Sequence, residues 1–187
     1  MIAKNPLQFQ TFFISREKSN CPLIPDIIRF IEKLDKHRLC RKKIDNTGSI
    51  SIRYGRRMLI NCSSISLSDI KQEEDFLEIA DYDPLKNIVL AIGVKEPHIN
   101  TPLHWFVHRA REDINAIAIL NSKNIAYEQT MQNLPAVSER KIPEIIEPIK
   151  EVLKMLRNRK NIPIKNNGVM FTGFDLNEIE EMVFRKK

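Results

Sequence analysis

Residues 88–122 contain two short apolar runs separated by a segment with helical spacing, and this order narrows the folds open to the chain. The runs are Ile88–Ile92 and Ala116–Leu120, each long enough for a buried strand. Between them, Thr101 and Pro102 are typical of a helix start, with threonine as the N-cap and proline at the first helical position. Strand, helix and strand in close succession indicate an α/β protein, in which functional groups commonly lie at strand ends and in loops.

The remaining periodic segments supply the other elements of such a fold. Apolar residues at helical spacing predict helices that start near Pro25 and Pro143. A possible capping box from Asp175 to Glu178 predicts a closing helix that ends near Phe184. Apolar and polar residues alternate over Ile50–Tyr54, and a second strand-like run follows the turn at Gly55-Arg56. This pattern predicts a β-hairpin. We therefore predict a single α/β domain whose central, largely antiparallel sheet is flanked by helices.

The composition sets limits on partners and location. The chain has 187 residues and a net charge of +6, which suits phosphorylated substrates, nucleic acid or an acidic partner, although a solvated basic surface is the favoured interpretation. Cys21, Cys40 and Cys62 are widely spaced, so free thiols are expected and a cysteine zinc site is not. No apolar run approaches the length of a membrane helix, and no signal peptide is evident. These features predict a cytoplasmic protein with no membrane contact.

The first 23 residues have no clear period. Phe9, Phe12, Phe13 and Ile14 fit either a short strand or an arm that packs on a neighbouring subunit. We therefore divide the chain into an N-terminal arm, residues 1–23, and a domain, residues 24–187.

Several motifs resemble the class II aldolase/adducin family, which includes fuculose-phosphate aldolase and ribulose-phosphate epimerase. The family has Pro-Ser-Ser-Glu followed by Thr-Pro-Leu-His, where this chain has residues 97–104, Pro-His-Ile-Asn and Thr-Pro-Leu-His. The family strand Ala-Val-Val-His-Thr-His-Ser corresponds to Ala116–Ser122, and its Asn-His-Gly corresponds to Asn166-Asn167-Gly168. The resemblance covers roughly residues 24–184 and implies a three-layer αβα fold.

The resemblance also implies where the family's chemistry would lie, and there the residue types differ. The catalytic Glu of the family corresponds to Asn100, and its three zinc-binding His correspond to Ile119, Asn121 and Asn167. Isoleucine has no donor atom, and asparagine is a neutral, poor ligand for zinc. We therefore predict no metal site and no cofactor, although the family leads one to expect zinc.

Two loops carry the family's phosphate-binding positions. Its Gly-Asn-Ile-Ser-Val-Arg strand corresponds to residues 48–53, and its Thr-Pro-Ser-Gly loop to residues 61–64. The resemblance implies that Gly48, Ser49, Ser63 and Ser64 bind a phosphate through backbone amides and small hydroxyls. The alternative is that these serines are only turn residues.

Histidines and one glutamate remain as candidates for relocated chemistry. His98 is expected in a loop facing the pocket, and Glu96 precedes it. His104 and His108 lie four residues apart, a spacing that allows metal binding on a helix. Polar groups at a subunit boundary or beside a pocket are the favoured alternative, because no third ligand stands at a supporting spacing.

Three hypotheses about function follow. In the first, the chain has lost zinc-dependent aldol chemistry and is a non-catalytic protein, or one that binds a small anion or sugar phosphate. In the second, it is a carbohydrate-phosphate lyase or isomerase that uses His98, His104 or Glu96. In the third, nucleic acid is bound by basic residues near Arg38–Lys43, Arg53–Arg57 and Lys154–Lys160. The sequence lacks the pattern of exposed aromatic residues that would stack on bases, which argues against this hypothesis. The resemblance implies a homo-oligomer, with a tetramer as the family's common form.

Overall fold

The computed structural model describes residues 9–40, 48–63, 65–120, 143–164 and 168–184. These residues form four α-helices, eight strands and two 3₁₀ turns. In chain order the elements are β1 Gln10–Ser15, α1 Ile24–Lys36, β2 Ser49–Tyr54, β3 Arg57–Asn61, β4 Phe76–Asp83, β5 Ile88–Ile92, α2 Thr101–Ala110, β6 Ala116–Leu120, α3 Pro143–Leu156, β7 Asn161–Ile164, β8 Gly168–Gly173 and α4 Leu176–Phe184. The 3₁₀ turns are Leu67–Asp69 and Glu73–Asp75.

The described strands form one sheet in the order β1-β5-β4-β3-β2-β6-β8-β7. Every neighbouring pair is antiparallel except β1 and β5, which are parallel. The prediction of a largely antiparallel sheet is confirmed. So is the hairpin: β2 and β3 pair from Tyr54 opposite Arg57, and Gly55 adopts a positive φ of 58° in the two-residue turn between them.

Alternation along β2 and β6 separates the two faces of the sheet. Ile50 and Ala118 point to the face covered by α1 and α4, where the largest apolar cluster lies. Ser49, Ser51 and Ile119 point to the opposite face, which α2 and α3 cover. The result is the predicted three-layer arrangement of helices, sheet and helices.

The first strand settles one of the alternatives for the N-terminal phenylalanines. Gln10–Ser15 forms an edge strand of the main sheet, in which Phe13 is half-buried against the core while Phe12 and Ile14 are 62% and 53% exposed. The guanidinium of Arg16 lies 3.6 Å from the centre of the Phe13 ring. Whether residues 1–23 also act as an arm that contacts another subunit stays a prediction.

The predicted helices are present, with small differences at their starts. Helix α1 begins at Ile24, one residue before the predicted Pro25, and buries Ile27, Ile31 and Leu34 as expected. The prediction of Thr101 as N-cap of α2 was wrong, because the helix begins at Thr101 and Asn100 holds the N-cap position. The Thr101 hydroxyl donates to the carbonyl of His98 at 2.6 Å, so it ties the helix to the preceding loop instead of capping it. No helix within the described ranges is long and apolar enough to cross a membrane.

Candidate functional site

A row of buried polar contacts joins strand β2 to helix α2. Ser49 Oγ lies 2.9 Å from His104 Nε2, and Ser51 Oγ lies 2.7 Å from His104 Nδ1. Ser51 Oγ also lies 2.9 Å from His108 Nε2, and His108 Nδ1 donates to the Ile114 carbonyl at 3.2 Å. The spacing of four residues places both imidazoles on one face of the helix, and alternation places both serines on one face of the strand.

Burial makes these imidazoles hard to protonate. Both His104 and His108 are almost fully inaccessible to solvent. Burial, with smaller contributions from His108 and His98, holds the pKa of His104 well below its usual 6.5. Burial also lowers the pKa of His108 to about 4, assisted by Arg53 and opposed by the contact with the Ile114 carbonyl. Both rings are therefore neutral near pH 7, and their nitrogens are bonded to serines and a carbonyl instead of facing a ligand.

Four of the positions that the resemblance singled out lie together at one end of this row of contacts. Asn100 Nδ2 donates to Ser49 Oγ at 3.0 Å, and Ser49 lies opposite Ile119 in the pairing of β2 with β6. At Gly48, a Cβ atom would lie 2.8 Å from the Ile119 carbonyl and 2.5 Å from Leu67 Cδ1, so only glycine fits. The fold thus brings Gly48, Ser49, Asn100 and Ile119 into one neighbourhood.

The zinc position implied by the resemblance does not fit a metal at Ile119. This side chain is 1% exposed and belongs to an apolar cluster with Val107, Ile162 and Met170. It offers hydrocarbon where a metal would need a donor atom, and the nearby Asn100 amide is bonded to Ser49. Within the described ranges, no three His, Cys, Asp or Glu side chains are grouped so that they could hold a metal ion. Asn121 and Asn167 lie outside the described residues.

The second predicted phosphate loop lies against the loop that precedes α2. The amide of Ser63 donates to the Glu96 carbonyl at 3.0 Å, and Cys62 forms an isolated bridge with Pro97. The Glu96 side chain is exposed, whereas Ser63 is partly buried. Ser64 lies outside the described residues. The phosphate-binding role of Gly48, Ser49, Ser63 and Ser64 stays a prediction, and the side chain of Ser49 is fully buried.

His98, which the sequence analysis expected in a loop facing the pocket, has a buried side chain. It is 2% exposed, and its Nδ1 accepts the backbone N–H of Asn100 at 3.1 Å. Ile99, the next residue of this loop, is 59% exposed. His98 therefore shapes the turn into α2.

The sequence analysis named Arg53 only within a basic segment and missed its structural role. Its Nη2 donates to the carbonyls of Arg111 and Ile114 at 2.9 Å each and also to the carbonyl of His108. Its Nε donates to Asn115 Oδ1 at 2.9 Å. Arg53 thus satisfies the carbonyl end of α2 and fixes the loop to β6, and it is not available for nucleic acid.

A groove of about 320 Å³ lies on the opposite face of the sheet, between α1 and α4. Its floor includes Phe30, Ile52 and Leu176, and Lys33 and Glu180 form an ion pair at its rim. Because Ile52 and Ser51 point to opposite faces of β2, this groove is separate from the contacts around Asn100.

The sequence profile of the class II aldolase and adducin N-terminal domain matches residues 26–183 of this chain. The chain belongs to this family. The match spans α1 to α4 and so includes both β2 and the loop before α2. No curated protein matched the chain significantly.

Solved structures agree with the family assignment at the level of the fold. An L-fuculose 1-phosphate aldolase aligns with a TM-score of 0.63 at 19% identity, over 88% of this chain and 83% of that one. The L-fuculose-1-phosphate aldolase from Thermus thermophilus has a TM-score of 0.58 at 17% identity, over 82% and 80%. A sugar-phosphate aldolase from Thermotoga maritima has a TM-score of 0.58 at 14% identity, over 87% and 93%.

Proposed function

We propose that this class II aldolase-like protein has lost zinc-dependent aldol chemistry and binds a small anion or sugar phosphate without cleaving it. The observation that carries the proposal is the environment of Ile119, which sits in an apolar cluster at a position where the family has a zinc-binding His. The loops that the resemblance assigns to phosphate binding include Gly48 and Ser63, and their retention in the sequence supports the proposal. A chain that keeps these loops but lacks the metal position is better suited to bind a phosphorylated ligand than to cleave it.

The second support for the proposal is that position 100 carries an amide where the family has a carboxylate. An amide cannot exchange a proton near neutral pH, so it cannot replace the family's catalytic carboxylate as acid or base. It is also engaged with Ser49. Loss of general base catalysis costs roughly a hundredfold or more in rate, and loss of a metal that stabilises negative charge costs several kcal/mol of barrier. Together they leave at most trace activity.

The relocated-chemistry alternative relies on side chains that are poorly placed for it. His104 Nε2 is bonded to Ser49 and His98 Nδ1 to the Asn100 amide, and both rings are buried. The side chain of Glu96 is exposed, and this residue joins the second loop through its backbone carbonyl instead. Among the described cations of this hypothesis, Arg53 faces inward and Arg57 pairs with Glu78 at 2.7 Å, so neither supports nucleic-acid binding; residues 41–43 lie outside the described residues.

Three measurements on the purified full chain test the proposal. We expect no stoichiometric zinc by elemental analysis, no cleavage of L-fuculose 1-phosphate, and a rise in melting temperature with sugar phosphates or inorganic phosphate. One zinc per chain with cleavage would contradict the proposal. Cleavage without zinc would instead support the relocated-chemistry alternative, and strongly salt-dependent binding of nucleic acid would support the third hypothesis.

We further propose that the chain forms a homo-oligomer in which the outer face of β1 takes part. Phe12 and Ile14 expose large apolar side chains on an edge strand, an arrangement typical of an association surface. Light scattering at micromolar concentration should show an oligomer, and Phe12→Ser with Ile14→Ser should shift it toward monomer. As a matched control, Leu85→Ser changes another exposed apolar residue, in the β4–β5 turn, and should leave the assembly intact. A monomeric wild-type protein would rule the proposal out.

A further inference from the structure

The groove between α1 and α4 has space on its floor because two neighbouring strand positions there carry almost no side chain. Ala116 of β6 is paired with Ile52 of β2 on one side and with Gly173 of β8 on the other. A Cβ atom at Gly173 would lie 2.9 Å from the Asp175 carbonyl oxygen and 3.2 Å from Ile179 Cγ1, so glycine allows α4 to approach β8 closely. Ala116 fills its own position with a single methyl group. The resulting cavity of about 320 Å³ is within the range of small-molecule sites in proteins.

An aromatic ring is exposed at the wall of this groove, on a backbone that is held in place. Phe174 lines the groove and is 66% exposed. Its N–H donates to Glu178 Oε2 at 2.7 Å, and the N–H of Glu178 donates to Asp175 Oδ1 at 2.9 Å. These contacts fix the start of α4, so the fold itself holds the ring in the exposed position. A fixed ring beside an apolar floor that includes Ile52 and Leu176 is suited to pack against a flat apolar molecule.

The cations around the groove are already paired, which argues for a neutral occupant. Lys33 Nζ lies 2.8 Å from each carboxylate oxygen of Glu180, and Arg29 is paired with Asp26. An anionic ligand would therefore find both cations of the groove neutralised and their carboxylate partners close by. Asn177 also lines the groove and is exposed, and its side-chain amide has no hydrogen-bond partner within the described ranges. This amide can donate to or accept from one polar group of a ligand.

We propose that this groove binds a neutral, planar aromatic molecule that carries one hydrogen-bonding group, such as an N–H. The ring packs on Ile52 and Leu176 beside Phe174, and its polar group bonds to the side-chain amide of Asn177. The site is independent of the proposed phosphate-binding function, because Ile52 and Ser51 point to opposite faces of the sheet. Either binding activity can therefore be absent without affecting the other.

Calorimetry of the full-length protein with three related probes tests the class of ligand. Indole is planar, neutral and has a single N–H, N-methylindole lacks that N–H, and indoleacetate adds a negative charge. We expect saturable binding of indole, binding of N-methylindole that is about fivefold weaker because one hydrogen bond is lost, and still weaker binding of indoleacetate. No saturable binding of indole, equal affinities for indole and N-methylindole, or tightest binding of indoleacetate would each overturn the proposal.

Variants at exposed positions, which should fold like the wild type, test whether indole binds in this groove. Phe174→Ala should weaken indole binding about tenfold, whereas Phe174→Tyr keeps the ring and should retain the affinity within about twofold. Asn177→Ala should weaken indole about fivefold and leave N-methylindole unchanged. Leu85→Ala is the matched control, because Leu85 is 87% exposed in the β4–β5 turn, and it should leave both affinities unchanged. Wild-type affinity for indole in Phe174→Ala, or an equal loss in Leu85→Ala, would overturn the proposal.

Discussion

Lowering the pH from about 7 to about 4.5 should reduce the free energy of unfolding by at least about 3 kcal/mol. The His108 pKa of about 4 lies below its usual 6.5, so the unfolded chain binds a proton in this window that the folded chain rejects. Stability is therefore full above the unfolded value and falls as the pH drops toward the folded value. His104, whose pKa is also depressed, acts in the same direction. Urea unfolding at several pH values measures the effect.

The charges around the pair reinforce this expectation. The groups that act on the two rings electrostatically are Arg53 from β2, His98 from the preceding loop and the rings themselves, all of which disfavour a further positive charge. The paired strand residues of β6 opposite Ser49 and Ser51 are Ile119 and Ile117, which carry no charge. Asp75 and Asp113, whose pKa is also depressed, lose their contribution to stability mainly below the usual aspartate value of 3.8. Glu178, whose usual value is 4.5, begins to lose its contribution at the lower edge of this window.

Two matched variants distinguish the contribution of the buried histidines to the pH dependence of stability from that of other histidines. His108→Gln keeps a donor and an acceptor for Ile114 and Ser51 but cannot titrate, so the fall in stability should be roughly halved. His37→Gln, at the C-terminal end of α1 and in tilted ring contact with Phe184, should show the same fall in stability as the wild type. A free energy of unfolding that stays constant between about pH 6.5 and 4.5 would show that the buried rings titrate alike in both states.

The helices and strands with a clear hydrophobic periodicity were predictable from the sequence, because the burial of their apolar residues alone determines that periodicity. Burial of one face determines α1 and α2, and burial of both faces determines the continuous apolar run of β6. The strand β1 was left as one of two alternatives, because its exposed Phe12 and Ile14 break the usual pattern of polar outward residues. The start of α2 was displaced because the Thr101 hydroxyl found a carbonyl partner in His98, which local propensity cannot foresee.

The candidate site was predictable by position and not by chemistry. The motif alignment drew attention to Asn100, Ile119 and Ser49, and the fold brings these three residues into one neighbourhood, while their roles stay predictions. Sequence spacing suggested that His104 and His108 share a helix face, but it could not show that two serines of β2 accept and donate between them. Such contacts join residues more than fifty positions apart, so only the folded chain reveals them.

Replacing Arg53 should destabilise the fold more than replacing any exposed cation, because Arg53 is bonded to three backbone carbonyls at once. We expect Arg53→Met to lower the free energy of unfolding by about 3 kcal/mol, since the buried carbonyls would lose charged donors and the helix dipole would lose its cation. Arg53→Lys keeps the charge but not the planar fork, so it should recover only part of the loss. Chemical denaturation of the purified variants provides the measurement.

The neighbouring Arg109 is the matched control for this effect. Its guanidinium lies 4.2 Å from the centre of the Trp105 ring and donates to the Arg56 carbonyl at 3.2 Å, but the side chain is exposed. Arg109→Met should therefore cost less than about 1 kcal/mol, the size of an exposed cation–π contact. Arg53 also shares the Ile114 carbonyl with His108 Nδ1, so Arg53→Met should weaken the contact that fixes the His108 tautomer. Equal costs for the two arginines would mean that the carbonyls at the end of α2 find water or another donor, and that Arg53 does not hold this end of the helix.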